Sequence, residues 1–392
     1  MKYNRGYSLI ELMVAITLGL VLLAGIIQVF VNSKQGYQVQ QSTGRVQENT
    51  RFAVEYLNRY ITLADFWSTL KPSVNSGSIT FNTNPSGSGS CKEAAWIVDP
   101  KTGIMGYAGV SSSSSFADTK LGACIGTLTT TSGSDAYVPN SDVLAIRYVN
   151  PDCFLFTTTG GGSSSSGGSG SGGSSGSGSS SGSYNTLTNP PAAPAPCSTA
   201  SGIYWLRAQL GVNGVLFNIT SSSDVTAAKS SIGGSTADAQ NGVLDYQYQA
   251  NIFFLANVDN GEGQTPTLYM ATLQNPSGTA QTGVQLYLQP LIDGVEMLKF
   301  EYGIDPTYGA ANDNLSITQY LPAGSVTNWA QVLSVRASMI VRGDTLDNFR
   351  DNQSYQMTNA YSYGPSNYSG NEKYQRRLIV KEFLLRNKVR GP

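Results

Sequence analysis

Histidine is absent from the 392 residues, and that absence removes much chemistry at once. Without imidazole there is no Ser-His-Asp or Cys-His nucleophile system, and the commonest zinc ligand is missing. Paired-carboxylate chemistry survives the exclusion, yet no spacing in the chain points to it. Charge is also scarce. The 24 Lys+Arg and 25 Asp+Glu make up 12% of the residues, so no global basic footprint suggests nucleic acid. There are 4 cysteines with no Cys-x-x-Cys spacing, which argues against zinc ribbons and thioredoxin-like redox motifs. No proline precedes Pro72, so none interrupts a helix in the N-terminal segment. What the chain does have is 43 Gly and 22 Tyr, a balance typical of secreted and cell-surface β-rich proteins. It reads as a non-enzyme needing no cofactor.

Residues 5 to 17 run RGYSLIELMVAIT, and the carboxylate of Glu11 stands at the start of an otherwise apolar stretch. From Leu12 to Ile27 the only polar side chain is Thr17, and apolar character continues through Val29, Phe30 and Val31. At about 1.5 Å per residue, Tyr7 to Val31 is long enough to cross a bilayer core as a helix. A charge drawn into hydrocarbon costs up to ~3 kcal/mol, so Glu11 needs a reason. Lys2 and Arg5 precede the run with no acid beside them. That bias leaves the N-terminus in the cytoplasm and exports everything after Val31. Export places Cys91, Cys124, Cys153 and Cys197 in an oxidising space, where they read as disulfides. Nearest-neighbour loops close at the lowest entropy cost, which favours Cys91–Cys124 and Cys153–Cys197.

Helical period continues through residues 45 to 67. Val46, Thr50, Ala53, Val54, Leu57, Ile61 and Ala64 share one face, with Gln47, Glu48, Arg51, Glu55 and Arg59 opposite. One long helix is therefore expected, membrane-buried first and packed on a domain second, with Gly19, Gly25, Gly36 and Gly44 as weak points. Gly160 to Ser183 contains only glycine and serine, the composition of a flexible loop or linker. Its formal G-x-G-x-x-G at Gly168, Gly170 and Gly173 has no flanking strand or helix and is an accident of composition. Strand signals lie on both sides. Residues 141 to 149 alternate, with Leu144, Ile146 and Tyr148 on one side, and Asn213-Gly214 marks a hairpin. Leu244, Tyr246, Tyr248, Ala250 and Ile252 share a face, as do Leu298, Phe300 and Tyr302, and Leu333, Val335, Ala337, Met339 and Val341. Such alternation predicts an antiparallel sheet with one face on the helix and one face wet. The final candidate, RRLIVKEFLLRN, alternates poorly.

Three weaker signals stand beside these. Asp305, Asn312 and Asp313 gather oxygen donors that suit calcium, but without an EF-hand pattern an Asx-rich turn explains them better. Lys373, Arg376, Arg377, Lys381, Arg386, Lys388 and Arg390 crowd the C-terminus and read as a solvated edge strand, where charge discourages unwanted pairing. The tyrosines of residues 359 to 370 suit either an interaction loop or an ordinary mobile one.

RGYSLIEL resembles the class III signal of type IV prepilins: a short basic leader ending in glycine, an aromatic, a small polar residue, two apolar residues and glutamate. The resemblance implies cleavage after Gly6 by a prepilin peptidase and N-methylation of Tyr7, where the family usually has phenylalanine. It gives Glu11 its reason, because the carboxylate of one subunit meets the terminal amine of the next within the bilayer. RVQENTRFAVEYLNRYI, SDVLAIRYV, QPLIDGVEMLKFEYGID, WAQVLSVRASMIVR and RRLIVKEFLLRN are similar to PilW-type minor pilins. The implied fold class is α+β and pilin-like, a long N-terminal helix on an antiparallel sheet with extra β-rich insertions. The implied organisation is leader 1–6, assembly helix 7–31, its amphipathic continuation 32–67, a first β-rich exported region 68–159, the Gly/Ser tract 160–183 and an antiparallel region 184–392. The implied role is to help initiate type IV pilus assembly at the fibre tip. Expected partners are other minor pilins, the major pilin, the inner-membrane assembly platform and a tip adhesin, with motility, adhesion and DNA uptake as outputs. Two other classes remain: a type II secretion pseudopilin of the J-component kind, and a membrane-anchored periplasmic enzyme.

Overall fold

The computed structural model describes residues 8–68, 70, 79–81, 87–157, 184–186, 203–209, 214–218, 232, 243–259, 264–273, 283–310, 315–346 and 350–389. One helix, α1, runs from Leu9 to Leu63, about 80 Å at the usual rise. Gly19, Gly25, Gly36 and Gly44 lie within it without breaking it. Ser8 takes the extended N-cap conformation, and Glu11 falls in the first turn, where the helix dipole favours an acid. The helix stops where Asp65 adopts a left-handed φ of 61°, which turns its N–H onto the Arg147 carbonyl at 3.1 Å.

The two halves of α1 live in different surroundings. Every residue from Ser8 to Gln41 is exposed. Burial begins at Ser42 and recurs at Val46, Ala53, Leu57 and Ile61, followed by Ala64. That is the face marked by the periodicity, with Thr50 and Val54 half-buried and the charged face exposed. Each fully buried Leu or Ile stabilises by roughly 1.5–3 kcal/mol.

A nine-stranded sheet is built from β1 (Ile79–Phe81), β2 (Ile104–Tyr107), β3 (Val143–Thr157), β4 (Tyr184–Thr186), β5 (Tyr204–Gln209), β6 (Gly214–Asn218), β7 (Val243–Asp259), β8 (Gln264–Thr272) and β9 (Tyr287–Asp293). It is antiparallel except that β1 runs parallel to β6. The expected hairpin is β5–β6, registered from Tyr204 opposite Asn218 to Arg207 opposite Val215; Asn213 lies outside the described residues. A second, antiparallel sheet has the order β11 (Gln319–Pro322), β10 (Val295–Ile304), β12 (Val332–Leu346), β15 (Tyr374–Leu384). A small hairpin, β13 (Tyr355–Gln356) with β14 (Ser362–Tyr363), completes the set. Between β9 and β10 the chain passes from one sheet to the other through Gly294, at φ 81°, and a Cβ there would sit 2.8 Å from the Arg342 carbonyl oxygen. Only glycine suits both conditions.

The expectation of one wet face is overturned for the large sheet. Leu144, Ile146, Tyr148 and Phe253 face a core shared with α1 and the second sheet. Val143, Ala145, Val149, Tyr248, Ala250 and Ile252 face a second core, closed by residues from the 87–142 segment. That segment supplies Ala94, Ile97, Phe116, Leu121 and Tyr137 as apolar cover, and the Cys91–Cys124 disulfide closes on itself within it, with 4.5 Å between Cα atoms. The polar residues of the alternating runs are therefore interior. Arg207 donates to both carboxylate oxygens of Asp245 at 2.8 Å, and Asn251 donates to the Tyr148 hydroxyl at 3.1 Å. The side chain of Leu244, Cys197 and the Gly/Ser tract lie outside the described residues. Cys153, the expected mate of Cys197, is buried.

Candidate assembly interface

The N-terminal half of α1 is the largest apolar surface that the described residues leave uncovered. Leu9, Ile10, Val21, Leu22, Ile26, Val29 and Phe30 are each at least 66% exposed. Such a helix is stable in water only when something else covers it. Within it Thr17 turns its hydroxyl back onto the Val14 carbonyl at 2.9 Å, so its polarity is satisfied inside the helix. Glu11 has no comparable partner among the described residues and is the one charge in the stretch from Leu9 to Val31. Residues Gly6 and Tyr7 lie outside the described residues.

What fixes the direction of this projecting helix is its far end. Ser42 packs so tightly against Gly343 that any β-carbon there would overlap its hydroxyl. At the C-terminus of α1, Asn387 Nδ2 donates to the carbonyls of Thr62 (3.1 Å) and Ala64 (2.9 Å), filling acceptors that a helix end leaves open. Beside it, Lys388 Nζ lies 3.4 Å from Asp65 Oδ2 and donates to the carbonyls of Trp329 and Ala330, each at 3.0 Å. Asp65 Oδ1 in turn accepts from Trp67 Nε1 at 2.6 Å. Burial pushes the Lys388 ammonium below its ordinary pKa, and the Asp65 carboxylate works against that shift. Asn387 and Lys388 thus clamp the end of the first helix.

A second charged junction joins the sheets. Asp142, just before β3, accepts from Gly109 N at 2.8 Å and Lys299 Nζ at 2.9 Å through one oxygen, and from Phe300 N at 2.9 Å through the other. Two comparisons bear on this arrangement. The family model for PilW, described as Type IV Pilus-assembly protein W, matches residues 252–387, and the prokaryotic N-terminal methylation motif matches residues 1–27. The chain carries a PilW domain behind a prepilin-type N-terminus. No curated protein and no solved structure matches it. The families found are pilus components, not enzymes.

The PilW match runs from the middle of β7 to Asn387, the residue that caps α1. It takes in the whole second sheet, against which the buried face of α1 packs. The disulfide-bearing cover and strands β1 to β6 lie outside both matches.

Other residues singled out in the sequence fare differently. Asp305 is buried, and its carboxylate accepts from Thr307 N, Thr307 Oγ1 and Ser316 N at 2.6 to 3.0 Å. Its oxygens serve a turn; Asn312 and Asp313 lie outside the described residues. The basic C-terminus is not uniformly solvated as expected. β15 is an edge strand, but Arg376 is buried against Glu296, with contacts of 2.5 and 3.0 Å, and Lys388 is buried in the clamp. Nor are the tyrosines of 359–370 presented outward: Tyr363 and Tyr368 are buried with ring centroids 5.7 Å apart, and Arg376 stacks 3.9 Å over Tyr368. Asp65, Asp142 and Glu296 were missed. The usable signal was a carboxylate standing inside or beside an apolar strand or helix end, where a buried charge requires a partner.

Proposed function

We propose that this protein is a minor pilin that helps initiate type IV pilus assembly, close to the fibre tip. The observation that carries the reading is the division of α1. Its first half is apolar, wholly exposed and marked by one carboxylate, while its second half buries one face in the folded domain. In this reading a peptidase cuts after Gly6 on the cytoplasmic face and Tyr7 becomes the methylated terminus, which keeps its positive charge. The stretch from Leu9 to Val31, about 35 Å of helix, holds the subunit in the inner membrane with its domain in the periplasm. As a subunit enters the growing fibre, Glu11 pairs with the Tyr7 amine of its neighbour. Each charge alone is costly in the bilayer, and together they offset one another and set the axial register. Packing between apolar helices supplies the remaining attraction.

The wide domain, with its disulfide-closed cover on the side of the large sheet away from α1, suits a subunit used in few copies at the end of a fibre. Other minor pilins, the major pilin and the assembly platform are the partners of this role. Mass spectrometry of the protein from membranes tests it directly. A mature chain beginning at methylated Tyr7 supports the reading, and a retained leader overturns it. Deleting the gene should abolish surface pili while leaving protein export normal. Lost export with intact pili would instead assign the chain to a type II secretion system.

A further inference from the structure

Away from α1, a pocket of about 460 Å³ opens where the end of β7, the start of β8, the start of β10 and the loop after β14 converge. Its volume lies within the usual range for small-molecule sites, ~300–1,000 Å³. The lining is unusual in chemistry. Five side-chain amides border it, from Asn140, Asn257, Gln264, Asn367 and Asn371, and Asn367 Oδ1 accepts from Gly364 N at 2.9 Å. The other four make no side-chain hydrogen bond among the described residues, since their contacts run through the backbone alone. Tyr361 and Tyr363 are also among the lining residues, but Tyr363 is almost wholly enclosed and the Tyr361 hydroxyl is buried with no partner among the described residues.

The floor is charged, but its charges cancel. Glu296 is held by Arg376 at 2.5 Å and faces Arg342 at 3.7 Å, while Asp351 lies 3.5 Å from Arg376. Two acids and two guanidinium groups leave no net charge for an ionic ligand. Lys299, 4.4 Å over the Tyr361 ring, is likewise neutralised by Asp142. An anion would have to displace an existing carboxylate, and an apolar ligand would strand the amides.

We infer that this pocket binds a neutral sugar ring, as one unit of a glycan chain. Each amide offers both a donor and an acceptor, and a hydroxyl group needs both. The exposed ring of Pro139 in the lining offers an apolar contact for the C–H face of a pyranose. Binding stands on the pocket alone, and only its meaning for adhesion rests on the pilus reading.

Full-length processed protein in a zwitterionic detergent, which carries no sugar headgroup to compete, is the sample for the test. Saturation-transfer NMR is run against neutral mono- and disaccharides, with glucuronate as the acidic control. Neutral sugars are expected to receive transfer and glucuronate is not. Asn257→Leu, which replaces an amide with a branched apolar group, should weaken binding at least tenfold with an unchanged melting temperature. Asn371→Ala, at an exposed position, reads the same site if the first variant melts early. Neutral oligosaccharides prepared from the cell's own envelope and from foreign cell surfaces separate the two sources. The inference is overturned if no neutral sugar receives transfer, if only the acidic sugar does, or if binding in the folded variants stays within twofold of wild type.

Discussion

Asp65 and Lys388, separated by nearly the whole chain, form a buried pair at 3.4 Å with side chains 0% and 1% exposed. The pair ties the last helical turn of the protein to the point where α1 ends. Removing one member leaves a buried charge without its mate, a loss of roughly 3–5 kcal/mol. Lys388→Met is therefore expected to melt well below wild type. Asp65→Asn added to that variant should recover part of the loss, because the amide still offers Trp67 an acceptor. Thermal unfolding of the four proteins in one detergent gives the coupling directly, and simple additivity would refute the clamp.

Glu11 makes the opposite prediction, since it contributes nothing to the packed part of the molecule. It is exposed on a stretch of α1 that does not reach the domain until Ser42. Glu11→Gln should leave the melting temperature of the domain unchanged and abolish or strongly reduce surface pili, counted by electron microscopy. Normal fibres with Glu11→Gln would remove the electrostatic account of assembly.

Helical period announced the inward face of α1 from Val46 onward, though not Ser42, because a helix packs through spacing that the local sequence carries. Strand alternation likewise announced β7, β10 and β12. What it could not announce is that polar positions such as Asp245 and Asn251 are also interior. Their partners, Arg207 and Tyr148, lie 38 and 103 residues away, and the cover that encloses the far face of β3 comes from a Ser- and Thr-rich segment with weak periodicity. The Asp65–Lys388 clamp is hidden for the same reason. Glu11 was legible as an anomaly, but the contact that the proposed function gives it lies with another subunit and not within this chain.

The Cys91–Cys124 bond joins positions 33 apart in that cover. By the loop-entropy account, closing a loop of this size stabilises by about 3–4 kcal/mol. Cys91→Ser/Cys124→Ser should lose stability on that scale and become open to proteolysis between residues 87 and 142, detected by mass spectrometry of the first cuts. The second core lies under this segment, whereas α1 packs in the first. Protease resistance in the double variant equal to wild type would show that the apolar contacts hold the cover unaided.

Alkaline pH offers a test of the cores themselves. Burial pushes the Tyr107 and Tyr137 hydroxyls up to about 12 from the ordinary 10, and Tyr148 and Tyr248, fully enclosed, are raised further. In each case desolvation is the largest cause. An unfolded chain begins to release these protons near pH 10, while the folded chain keeps them. Between pH 10 and 12 the native state therefore binds more protons than the unfolded one, and linkage makes stability fall as pH rises. The stabilising contribution is fully present below pH 10. Phenolate absorbance should consequently show an exposed group of tyrosines titrating without loss of structure, followed by a cooperative step in which the buried ones ionise as circular dichroism is lost. A single non-cooperative titration centred at pH 10, with the sheet signal intact, would place these rings in solvent and contradict the two-core packing.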